Sequence, residues 1–194
     1  MNIRKKVLAS CFKLYAQAVI WDENNDRPRL YLAASEAEGP CFAIDADTYE
    51  TRTVWEGPGG TMTICPRGSK GDFLAVQNFF PVFSAAGAVV VHGRLIDGAY
   101  DVAPCISLPY IHRFEIADVA GENYFVGATL AESKESPQDW SRPGKVYVGK
   151  IPENPRDGFG LGVVLEGITK KSWNVQNAPR RARCRSCFRN GRTV

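Results

Sequence analysis

The chain has 194 residues, 44% hydrophobic and 23% charged, with 18 Gly and 12 Pro, a composition that excludes collagen-like and disordered classes and provides for a sizeable core. No apolar run reaches the roughly eighteen residues a membrane span needs: the longest candidates, 7–20 and 81–91, are broken by Lys13 or too short, so no transmembrane segment is expected. The formal net charge of +3 comes from residues 178–194, APRRARCRSCFRNGRTV, which hold six arginines and no acid and leave 18 basic against 21 acidic groups in residues 1–177. A mildly acidic body with an arginine-only tail is not the pattern of a nucleic-acid-binding domain, which spreads basic groups over a folded face.

Residues 1–14 read as an N-terminal extension. Arg4, Lys5 and Lys6 followed by VLAS and Cys11 imitate a secretory leader, but only four residues separate Lys6 from Cys11, against the 7–15 or so that an apolar leader segment requires. Without a leader, and with six cysteines in no dense framework, a reducing cytoplasm is expected. Cys41, Cys65 and Cys105 stand singly and read as small buried hydrophobes.

From residue 15 onward helical periodicity is almost absent. Short runs of β-branched, aromatic and alternating residues, punctuated by Gly, Pro, Asn and Asp, predict strands at 15–21, 29–35, 41–45, 51–56, 61–65, 72–78, 88–92, 100–102, 112–116, 124–130, 146–150 and 162–166. Three segments share one plan of strand, polar turn and strand: AQAVIWDENNDRPRLYLAAS (16–35), TMTICPRGSKGDFLAVQN (61–78) and IHRFEIADVAGENYFVGATL (111–130). Two further strands follow each, and KSWNV at 171–175 resembles the start of another unit. Four strands per unit, repeated about every 45–60 residues, is the rhythm of β-propeller blades. The expectation is therefore an all-β, propeller-like domain over 15–177, with three blades, the start of a fourth and an incomplete ring. Such a ring needs missing blades or self-association to cover its open edges. The tail, 178–194, is either a solvated, disordered basic segment or the product of a frameshift or truncation; its Cys184-Arg-Ser-Cys187 has two of the four ligands a zinc site needs and nothing nearby to complete it.

The turn Asp22-Glu-Asn24-Asn-Asp26 places side-chain oxygens at alternate positions, as the first part of a calcium loop does. Asp22, Asn24 and Asp26 are thus candidate ligands for a divalent metal (Ca, Mg or Zn), against the alternative of a solvated turn rich in Asn and Asp. Phe114-Glu-Ile-Ala-Asp118-Val-Ala-Gly121-Glu-Asn-Tyr-Phe-Val resembles a worn FG-GAP-type propeller repeat, whose turn commonly reads D-x-D-G-D-G before an apolar strand. Ala120 replaces an expected ligand there, and Arg27 stands where the first loop wants its turn glycine.

Pro109-Tyr-Ile-His112-Arg113, leading into Glu115-Ile-Ala-Asp118, is similar to a stretch that heads an inner strand in the aldos-2-ulose dehydratase-like propellers. That resemblance covers one blade and implies a carbohydrate-active protein, lyase-like or sugar-binding, with a small-molecule carbohydrate as partner and the site at the channel mouth. His112 would then be a general base or metal ligand, since an imidazole suits proton abstraction alpha to a carbonyl. Arg113, or Lys171 from the next blade, would hold the developing enolate, and Tyr110 and Trp173 would offer flat faces to a sugar ring. Alternation puts Tyr110, His112 and Phe114 on one face and Arg113 and Glu115 on the other. The competing reading is a non-catalytic propeller scaffold for protein–protein contacts, in which His112 packs, Arg113 pairs with an acid, Trp55 and Trp173 wedge between blades, and His92 belongs to an outer strand.

Overall fold

Apolar and polar side chains alternate along short segments closed by Gly, Asn and Asp, and this pattern folds the chain into strands. The computed structural model describes residues 5–8, 13–22, 26–68 and 70–168. Within them lie three four-stranded sheets. The first holds β1 (Leu14–Asp22), β2 (Arg27–Ser35), β3 (Cys41–Asp45) and β4 (Thr51–Trp55). The second holds β5 (Ile64–Arg67), β6 (Asp72–Gln77), β7 (Val89–Ile96) and β8 (Ala99–Ser107). The third holds β9 (Ile111–Val119), β10 (Glu122–Thr129), β11 (Gly144–Lys150) and β12 (Gly162–Ile168). Each sheet is a meander in which every strand pairs antiparallel with the next. The all-β class and the four-strand repeat expected from the sequence are what the fold contains.

Boundaries moved where a residue broke the simple pattern. β8 runs nine residues rather than three because Pro104, which stops a sequence reading, sits on an edge strand opposite a bulge between Val90 and Val91, where its missing N–H removes little. Two hairpins close through two-residue turns with both central residues left-handed: Asp97 and Gly98 (φ 48° and 83°), and Ala120 and Gly121 (φ 56° and 85°), the turn that matches strand twist. Asp118 belongs to the second turn, its Oδ1 accepting the Gly121 N–H at 3.2 Å.

The sheets pack face to face with the second in the middle. On β6, Phe73 and Ala75 point toward the first sheet and join Ile20, Leu30, Leu32 and Trp55 in one core. Leu74 and Val76 point the other way and meet Ile111, Phe114 and Phe125 of the third. Phe73 lies opposite Gly93, where any Cβ would strike its ring. In the next sheet the Phe125 ring lies over Gly127 of its own strand, where a Cβ would strike it in the same way. Phe73 also fills the space between Trp55 and Tyr100, with centroids 6.1 and 5.7 Å away.

The first strands of the sheets adjoin, β1 beside β5 and β5 beside β9. At one end the links between sheets lock onto the loops between second and third strands: Thr61 N–H donates to the Ser35 carbonyl (3.1 Å), Phe79 N–H to Gly60 (3.2 Å), Tyr110 N–H to Ala85 (2.9 Å) and Leu130 N–H to Tyr110 (3.0 Å). The approach is close enough that a side chain at Gly59 would collide with the Ala37 carbonyl.

Since Phe73 is fully buried on the inner face of the middle sheet, Phe73→Ala is expected to cost about 3–5 kcal/mol in urea denaturation. Val163→Ala, on an exposed edge-strand residue, should stay within about 0.5 kcal/mol of the parent. Equal losses from the two would contradict this packing.

Candidate functional site: the cleft between the inner strands

Alternation along β9 decides what faces the cleft. Phe114 is buried and stacks on Phe125 with centroids 5.0 Å apart, which commits its side of the strand to the core between the second and third sheets. Arg113 and Glu115, on the opposite side, line a cleft of about 480 Å³ with Tyr15 and Gln17 of β1 and Thr63 and Cys65 at β5.

Arg113 organises this cleft. Its Nη1 donates to the Met62 carbonyl at 2.6 Å and its Nη2 to the Tyr15 hydroxyl at 3.3 Å, while the guanidinium carbon lies 5.2 Å from the centre of the Tyr15 ring, within reach of a cation–π attraction. One side chain therefore touches the lead-ins or bodies of all three inner strands. Two more bonds stitch the β5 region to β9: Thr63 Oγ1 donates to the His112 carbonyl (3.2 Å) and the Cys65 thiol to the Phe114 carbonyl (3.3 Å). Neighbouring inner strands belong to different sheets, so side chain-to-backbone bonds do here what a ladder does within a sheet. Burial pushes the Cys65 thiol up to about 12, with the Glu115 charge adding to it, which makes this cysteine a packing group and not a nucleophile. The groups left to meet a ligand are a cation, a carboxylate, an amide and a phenol face, all able to hydrogen-bond a small polyhydroxylated molecule.

The sequence-predicted residues fall in different places. His112 is half-buried, its ring 4.9 Å from that of Phe79, on the face opposite Arg113. Burial, with the Arg113 charge in second place, pushes it down to about 4, so it is uncharged near neutrality and a weak base. Tyr110 is buried in the core with a left-handed φ of 59° and donates its hydroxyl to the Phe83 carbonyl at 3.5 Å. Arg113 alone of the named group lines the cleft. Lys171, Trp173, Asn24 and the Asp22 side chain lie outside the described residues; Asp26 stands at the β1–β2 turn with φ 48°. Among the described residues no three His, Cys, Asp or Glu side chains gather in a metal-binding group. Trp55 is buried between the first two sheets.

Tyr15, Gln17 and Glu115 carried no motif. Tyr15 meets Arg113 across 98 positions of sequence, a distance no local pattern bridges. The parity of β9 was the usable signal: Phe114 and Ile116 on one side, Arg113 and Glu115 on the other, so the charged side had to face solvent or a polar cleft.

His92 sits elsewhere, on β7. It is 2% exposed, its Nε2 is 3.7 Å from Asp72, and neither ring nitrogen has a hydrogen-bond partner. Burial lowers its pKa, Asp72 opposes this, and Arg67, Arg156 and Arg94 lower it further. Close by, Arg156 and then Arg94 hold Asp101 below the usual carboxylate range, through bonds of 2.6 and 3.2 Å.

The sequence matches no protein-family model, and no curated protein is significantly similar to it. The described residues define a class: an all-β protein with three repeated four-stranded antiparallel sheets and a polar cleft between their first strands.

Both histidines have folded-state pKa values below the ordinary value of about 6.5. The unfolded chain therefore takes up protons first, and the stability tied to neutral imidazole is full above about pH 6.5 and is lost as the pH falls toward 4. The melting temperature is expected to drop between pH 7 and 5, above the range where the carboxylates titrate, and His112→Gln should flatten part of that slope. A parent melting temperature that is constant across this window would contradict the burial of both rings.

Proposed function

We propose that the chain is a propeller-type carbohydrate-binding protein whose ligand sits in the cleft between β1, β5 and β9. The observation that carries this reading is the side-by-side placement of the half-exposed Tyr15 ring with Arg113, Glu115 and Gln17 in one open polar cleft. Sugars are recognised by that chemistry: an aromatic face for the C–H side of the ring and charged or amide groups for its hydroxyls. The radial arrangement supports the propeller part, since successive sheets pack face to face with their first strands adjoining on one side, and β4 lies against β8 on the other.

The lyase form of this reading, suggested by the likeness of 109–118 to the aldos-2-ulose dehydratase propellers, assigns its chemistry to the same cleft. Glu115 is the carboxylate placed there to exchange a proton, and Arg113 the cation placed to hold an enolate. A reducing, cytoplasmic setting belongs to the proposal too, supported by the free thiols among the described residues, Cys41 and Cys65 buried and Cys105 half-buried. The scaffold reading has one observation in its favour: Phe80, Val82 and Phe83, each 39–47% exposed, stand together on the loop between β6 and β7, an apolar patch of the kind that docks proteins.

Titration calorimetry or ligand-observed NMR with a panel of neutral and acidic mono- and disaccharides tests the proposal. At least one sugar should bind, and Tyr15→Ala or Glu115→Gln should weaken it about tenfold or more, roughly 1.4 kcal/mol. Binding indifferent to both substitutions, or no binding across the panel, overturns it. Replacing Phe80 and Phe83 by serine should leave sugar affinity unchanged.

A further inference from the structure

Parity along β7 puts a titratable ring where the second and third sheets meet. Val91 joins the core shared with the first sheet and Val90 the core shared with the third, so His92 and Arg94 face the third sheet. Asp72 and Arg67 are paired across β6 and β5, and Asp101 stands opposite Arg94 on β8. These charges share that face with His92, as does the Cys105 thiol, which burial pushes up to about 12 and keeps neutral.

The link between β11 and β12, residues 151–161, lies against this polar end of the interface. Two arginines hold it down. Arg67 Nη2 donates to the Pro152 and Glu153 carbonyls at 3.4 and 3.3 Å. Arg156 of the link donates through Nη1 to Asp101 Oδ2 at 2.6 Å, and through Nη2 to the Asp101 carbonyl at 2.8 Å and the His92 carbonyl at 3.3 Å. Arg94 donates to the same Asp101 oxygen at 3.2 Å, so two guanidiniums crowd one carboxylate.

His92 is thus bonded to the link through its backbone, while its ring, 2% exposed, has no hydrogen-bond partner on either nitrogen among the described residues. A neutral ring bears this at the cost of unmade bonds, but a charged one needs compensation. Asp72, 3.7 Å from Nε2, is the carboxylate beside it, and Asp101 is already shared by Arg94 and Arg156. Glu153 and Asp157 stand on the exposed side of the link, where solvent screens them. Within the interface a proton on His92 therefore adds positive charge where guanidiniums already outnumber carboxylates. The ring has no way out, because β7 is laddered to β6 on one side and to β8 on the other. The link can yield instead: Ile151 N–H ties its start to the Asn123 carbonyl of its own sheet at 2.8 Å, while side-chain bonds hold residues 152–158 to the second.

We propose that His92 is an acid-sensitive latch: when its imidazole gains a proton, Arg156 is driven off Asp101 and the His92 carbonyl, and residues 152–158 lift from the second sheet. In the closed form burial lowers the ring's pKa, Asp72 opposes this, and Arg67, Arg156 and Arg94 lower it further. In the lifted form the ring meets water and returns toward its ordinary value of about 6.5. The latch is accordingly closed above that pH and loosens as the pH falls through it.

Hydrogen exchange read by mass spectrometry at pH 7.5 and 5.5, corrected for intrinsic rates, tests this on the full chain. One proton of linkage makes residues 152–158 open about tenfold more often at the lower pH. His92→Gln should abolish that difference, and His112→Gln, which leaves the latch intact, should keep it. Arg156→Gln, which spares the ring, should open the segment already at pH 7.5; it decides the matter with the parent where His92→Gln does not fold. Equal protection of 152–158 in the parent at both pH values, a difference that survives His92→Gln or vanishes with His112→Gln, or parent-like protection in Arg156→Gln overturns the proposal.

Discussion

Strand β6 of the middle sheet has no solvent side, and the placement of everything else follows from that. Phe73, Leu74, Ala75 and Val76 are consecutive on β6 and all fully buried, two toward each neighbour. An antiparallel sheet with one wet face alternates apolar and polar residues; a run that is apolar throughout demands a partner on both faces. The first and third sheets are those partners. Burial of each large side chain contributes about 1.5–3 kcal/mol, and no hydrogen bond crossing between sheets individually approaches the sum. Gly93 belongs to the same constraint, because the Phe73 ring fits over the adjacent strand only where no Cβ intervenes.

Fixing three sheets by their faces brings their first strands side by side without a ladder to join them. The backbone groups there find other partners, and the side chains of Thr63, Cys65 and Arg113 supply donors to carbonyls on the neighbouring strand or its lead-in. In the proposed carbohydrate-binding reading, function and stability meet at Arg113. The guanidinium that holds the Met62 carbonyl and the Tyr15 hydroxyl is also the cation of the cleft, beside the Glu115 carboxylate, so the candidate site is preorganised by a group that ties the fold together. His112 lies on the far side of the same strand, its ring 4.9 Å from that of Phe79 and its pKa lowered by burial.

Much of the fold was legible in the sequence because it is local. Period-two alternation and turn residues located the twelve strands found among the described residues, and the spacing of strand-turn-strand segments gave their grouping in fours. The misplaced ends have physical causes. Residues 61–63 look like strand but are spent on bridging between sheets, Thr61 N–H to Ser35 and Thr63 Oγ1 to His112, so β5 begins only at Ile64. The site was less legible. The alternation of His112 and Arg113 onto opposite faces could be read directly, but which face meets the cleft depends on how Phe114 packs against Phe125 in the next strand. The Tyr15–Arg113 contact depends on three sheets stacking in order, which no window of sequence contains.

Native-state hydrogen exchange measures the governing constraint most directly. If the doubly buried strand β6 of the middle sheet is what holds the other sheets in place, the amides of β6 and β7 should exchange only through global unfolding, with the full stability of the protein, while those of the edge strand β12 open locally at much lower free energy. Amides of β6 that exchange as readily as those of β12 would contradict the account.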